Sequence, residues 1–110
     1  MSAENRRFMR LLVFFDLPVS TKKDRYFASK FRRFLLNDGY DMVQFSIYAR
    51  LIYGAGSIPT HQVRLRANLP PKGSVRSMVV SEKQFAGIEI LVGAPTLQEK
   101  TVTHRQLLLF

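Results

Sequence analysis

The chain has 110 residues, 46% of them hydrophobic, and its 17 Lys and Arg against 8 Asp and Glu give a formal net charge of +9. That length holds one domain with a single modest core, and nine Phe in a chain this apolar argue against disorder. No apolar run approaches the ~20 residues that span a bilayer, and the absence of cysteine excludes disulfides and thiolate metal sites. The polar opening MSAENRRFMR does not read as a secretory signal. With no cysteine, this fits an intracellular, cytoplasmic protein.

Residues 10–16, RLLVFFD, form a short continuous apolar run that suits a strand buried on both faces. A turn over 17–20 follows. From Thr21 the period becomes helical through Tyr26, Phe27, Phe31, Phe34 and Leu35. Thr21 and Asp24 stand at capping-box spacing, and Asn37-Asp38-Gly39 predicts the helix end. Residues 41–51, DMVQFSIYARL, alternate and predict one strand. Its Val43, Phe45, Ile47, Ala49 and Leu51 face reads as core; its Met42, Gln44, Ser46, Tyr48 and Arg50 face reads as mixed. After Gly54-Ala55-Gly56 a second helix is expected from Ser57 to about Leu69, stopped by Pro70-Pro71. SVRSMVVS (74–81) and GIEILVG (87–93) both predict strands, joined by the polar EKQFA, and RQLLLF is a last strand-like segment.

This order fits an α+β class: a ferredoxin-like βαββαβ sandwich over residues 1–93, with an antiparallel sheet and two helices on one face. Residues 94–110 read as a C-terminal extension with an extra strand. That strand either joins its own sheet or docks on a partner protomer.

The charge points to a polyanion, because neutralised phosphates release condensed counterions. The basic residues are spread along the chain, not gathered on one amphipathic helix, so a membrane surface is not expected. The expected phosphate contacts are Arg6, Arg7, Arg10, Lys22, Lys23, Arg25, Lys30, Arg32, Arg33, Arg76 and Arg105. There is no glycine-rich phosphate loop, His61 and His104 have no partner at ligand spacing, and no segment carries the aromatic pattern of RNA-recognition sheets. Of the eight carboxylates, Asp16 alone falls at the C-terminal edge of a central strand, where ligands gather in open sheets. An Asp before a proline turn also has a plain structural role, bonding nearby amides. A single carboxylate is a thin Mg²⁺ site, so a catalytic Asp16 requires a symmetric homodimer that brings two copies together.

The blocks FFDLP, KKDRYFASKFRRFLLNDGYDMVQFSIYARL and PPKGSVRSMVVSEKQFAGIEILVG, in that order, resemble the small CRISPR-associated nuclease-like family of the spacer-acquisition complex. The resemblance spans nearly all of residues 8–93, and its KQFAGIEILVG end is similar to the type II subgroup. It implies a ferredoxin-like homodimer whose C-terminal strands complete the partner's sheet, with Asp16 as a metal-binding carboxylate shared across the dimer axis. It further implies binding to protospacer double-stranded DNA, bridging of CRISPR integrase dimers, and a Mg²⁺-dependent endonuclease activity on DNA or RNA. Many members have Tyr before the Asp, where this chain has Phe15. The alternative is a toxin endoribonuclease of the VapD type, which shares the fold and the dimer.

Overall fold

The computed structural model describes residues 8–95. Four strands, β1 (Phe8–Asp16), β2 (Asp41–Gln44), β3 (Ile47–Tyr53) and β4 (Ser74–Ser81), form one sheet in the order β2-β3-β1-β4. Every pairing is antiparallel. Helix α1 (Lys22–Asn37) follows β1, α2 (Ile58–Ala67) follows β3 after a 3-10 turn at Ala55–Ser57, and a short α3 (Glu82–Ala86) follows β4. This is the strand order of the ferredoxin-like fold, the α+β class that the sequence predicts.

β1 is central because it has an apolar residue to offer to each face. Leu11, Val13 and Phe15 meet Phe31 and Leu35 of α1, Leu65 of α2, and Tyr40, Tyr48 and Ile52 in the main core. Each such large side chain stabilises the fold by about 1.5–3 kcal/mol on burial. On the opposite face Leu12 meets Ala49 and Phe85, a smaller cluster under α3.

α1 begins where the sequence places it. Thr21 Oγ1 accepts from the Asp24 amide at 3.0 Å, and the Thr21 amide donates to Asp24 Oδ2 at 3.3 Å. It ends at Gly39, whose φ of +94° lets the Tyr40 amide reach the Leu35 carbonyl at 2.9 Å.

Four expectations are corrected. The segment 41–51 is a hairpin and not one strand: Phe45 and Ser46 reverse the chain, and β2 pairs with β3 through Met42↔Tyr48 and Gln44↔Ile47. Its faces are also inverted. Tyr48 lies in the core beneath the helices, whereas Ile47, Ala49 and Leu51 pair with Phe14, Leu12 and Arg10 on the other side. Alternation identifies two faces but not which one the helices cover.

EKQFA is not a plain connection but α3, capped by Ser81 and Gln84. It buries Phe85. GIEILVG forms no strand among the described residues, and Ile88, Ile90, Leu91 and Val92 are exposed. A strand needs a neighbour to hydrogen-bond, and local propensity cannot supply one. The segment RQLLLF lies outside the described residues, as does almost all of the expected 94–110 extension.

Candidate functional site

Asp16 is the last residue of β1, is exposed, and pairs with Ser74 of β4. By the two-residue period it shares a face with Leu12 and Phe14, the face opposite α1 and α2. The strand tip is set by a close approach. A Cβ on Gly73, at φ +97°, would lie 2.6 Å from the Asp16 carbonyl oxygen, so only glycine fits there. Among the described residues no group of three or more His, Cys, Asp or Glu could hold a metal ion.

The face that ends in Asp16 is only partly covered. α3 shields Leu12 and Ala49. Beyond it Phe8, Leu51, Tyr53 and Met78 stay exposed, and Arg76 stands opposite Phe14.

The candidate phosphate contacts separate into distinct groups. Lys22, Lys23, Arg25, Lys30 and Arg33 are exposed on α1, and Arg76 is exposed on β4. Arg32 is half-buried, with its Cζ 5.6 Å from the Phe45 ring centroid. Arg25 Nη1 also donates to the Val19 carbonyl at 3.0 Å, closing the β1–α1 turn. Arg6, Arg7 and Arg105 lie outside the described residues.

Arg10 is placed differently from the expectation. It is 6% exposed, donates from Nε and Nη2 to the two Glu82 carboxylate oxygens at 2.8 and 2.9 Å, and lies 4.6 Å over Phe85. It ties α3 to the sheet, and this position does not present it to an external phosphate. The signal that identifies it is its place inside an apolar strand run. A guanidinium there must be paired.

A second polar cluster joins the end of α1 to β3 and α2, and the sequence does not reveal it. Asp38 Oδ1 accepts from Arg64 Nε at 2.9 Å, Arg50 Nη1 donates to the Asp38 carbonyl, and Arg64 Nη2 lies 2.9 Å from His61 Nδ1. Burial, then the Asp38 charge, pushes the Tyr40 hydroxyl up to about 12. Burial, then the Arg50 and Arg64 charges, lowers the pKa of His61 from 6.5, with Asp38 opposing. The folded state thus binds this proton more weakly than the unfolded chain does. The stability from His61 is complete above its unfolded pKa and is lost as pH falls below it. Thermal unfolding is expected to show a lower Tm at about pH 5 than at about pH 7, with a smaller difference in His61→Gln. An unchanged difference in that variant would assign the slope to other groups.

The family model for CRISPR associated protein Cas2 matches residues 9–88. The chain belongs to the Cas2 family. The Cas2 of Acidovorax ebreus, named CRISPR-associated endoribonuclease Cas2, is 58% identical over 93% of this chain and 100% of its own length. Proteins of the same name from Campylobacter jejuni and Ligilactobacillus salivarius are 41% and 36% identical. They match over 94% and 92% of this chain, and over 73% and 100% of their own lengths. Membership in a CRISPR-associated family decides against the toxin alternative. No helix among the described residues is long and apolar enough to cross a membrane.

Proposed function

We propose that this Cas2-family chain works in CRISPR spacer acquisition as a homodimer that binds protospacer duplex DNA and bridges integrase dimers. In the same proposal, Asp16 from both copies holds Mg²⁺ for phosphodiester cleavage as a separable activity. The observation that carries the reading is the open sheet face. A half-covered apolar surface through Phe8, Leu51, Tyr53 and Met78 shares its side of the sheet with a strand that ends in an exposed carboxylate. A second copy packed on that face about a two-fold axis buries the apolar residues and makes the two Asp16 side chains symmetry mates. The exposed apolar GIEILVG segment beyond β4 suits addition to a partner's sheet edge.

Asp16 fits Mg²⁺ as a half-site: it is a hard oxygen donor, exposed and free of ion pairs among the described residues. Two such carboxylates with water and substrate phosphate meet the ion's ordinary needs, and the bound ion supplies charge neutralisation and an activated water. The chain's own part is to hold the strand tip still through Gly73 and the Asp16↔Ser74 pairing. The relatives' name, endoribonuclease, makes RNA a substrate to test beside DNA.

The charge layout supports a polyanion. Lys22, Lys23 and Arg25 crowd the first turn of α1, whose last turn has no basic residue. The helix dipole favours the reverse, so helix stability does not account for this pattern. An external phosphate backbone does. Duplex affinity is expected to fall about a thousandfold between about 50 and 200 mM salt, with little sequence preference. Fluorescence anisotropy at both salts, with light scattering for the dimer, tests the reading. Salt-independent affinity, or a monomer at micromolar concentration, would overturn it.

A further inference from the structure

Phe45 is an anomaly that neither the fold nor the open sheet face explains. It stands in the two-residue link of the β2–β3 hairpin, where glycine, asparagine or aspartate usually supply the conformation. Here Ser46 adopts φ +66°, an unfavourable state for a non-glycine residue. The turn is nonetheless held firmly. The Ser46 carbonyl accepts from the Phe15 amide at 3.0 Å, locking the link beside the end of β1. The outcome is a phenyl ring 76% exposed at a fixed point.

The surroundings of that ring suit one kind of ligand. Its neighbours in the turn are exposed Gln44 and half-buried Ser46, both polar. Among the described residues it makes no ring–ring contact. The guanidinium of Arg32, on α1, stands 5.6 Å from its centroid, and exposed Arg33 follows. With the Arg32 guanidinium over one face of a largely exposed ring, the other face is offered to a base and the positive charge to the adjoining phosphate. In a duplex both faces of a base are already covered by neighbouring bases, so an unpaired base is the one that can use the ring.

We propose that Phe45 is a stacking platform for an unpaired nucleobase, with Arg32 beside the adjoining phosphate. This rests on the nucleic-acid reading above and deepens it: the chain holds a single-stranded segment at the β2–β3 link, with Arg32 of the expected phosphate contacts serving that segment. The chain has no tryptophan, so Phe45→Trp installs a unique reporter at the site.

The experiment titrates the full-length chain with oligo-dT, oligo-U and a blunt duplex, each of about 12 units, using wild type, Phe45→Trp and Phe45→Ala. Expected is quenching of the Phe45→Trp indole by a single strand and not by the duplex. The dT and U arms show whether DNA, RNA or both are held. Phe45→Ala is expected to weaken single-strand binding about 5- to 150-fold while duplex affinity and the light-scattering mass stay as in wild type. If wild type binds duplex but Phe45→Ala leaves single-strand affinity unchanged, the platform is overturned and the duplex reading survives. Equal loss of both ligands, or a changed mass, assigns the ring to structure or to contact with a second copy and overturns the platform. If wild type binds neither ligand, both readings fall.

Discussion

Asp16→Asn is expected to lower Mg²⁺-dependent phosphodiester cleavage by more than about a hundredfold while leaving Tm and dimer mass close to wild type. The substitution keeps the shape of a side chain that is exposed at a strand end, so little packing is lost. It removes the negative charge that a hard divalent cation requires. Helix α1 does not depend on it, because Thr21 and Asp24 already cap that helix. The measurement is cleavage of labelled RNA and DNA with and without Mg²⁺, beside thermal unfolding and light scattering. Full activity in Asp16→Asn would remove Asp16 from the chemistry. Spacer acquisition in cells, measured in parallel, separates the roles: acquisition intact with cleavage lost makes the nuclease dispensable for bridging.

Glu82→Ala is expected to cost about 3 kcal/mol and to lower Tm by more than about 10 °C. Glu82 accepts two hydrogen bonds from a guanidinium whose side chain is 7% exposed. Without that carboxylate the Arg10 charge stays under α3, against Phe85. The Glu82 side chain is 29% exposed, so water offsets part of the loss. The double change Arg10→Met with Glu82→Leu is expected to recover most of the stability, since buried ion pairs exchange for apolar residues at little net cost. Duplex affinity of that folded double variant should match wild type. A Tm shift under about 2 °C in Glu82→Ala would show the pair to be incidental, and a large loss of DNA binding in the double variant would return Arg10 to the phosphate contacts.

Local signals are reliable where local chemistry decides. The Thr21–Asp24 cap, the Gly39 stop, the central β1 run and the 74–81 strand all stand where the sequence predicts them. The 41–51 hairpin was not legible because its link, Phe45-Ser46, lacks a turn residue and the apolar alternation continues through it. In the sequence Arg10 reads as a surface cation because charge alone says nothing of the partner 72 residues away. The Asp38–Arg64 pair, 26 residues apart, was hidden for the same reason.

By itself the sequence determined the α+β class, the central β1 run with its capped helix, the cationic character and the choice of Asp16 as the isolated strand-tip carboxylate. Those follow from periodicity, caps and composition, which act over a few residues at a time. Tertiary structure alone decided which sheet face the helices cover, that Asp16 stands on the opposite one, that Arg10 is held by Glu82, and that Phe45 projects beside Arg32. Each of these depends on contacts between distant segments, and such contacts exist only once the sheet has assembled.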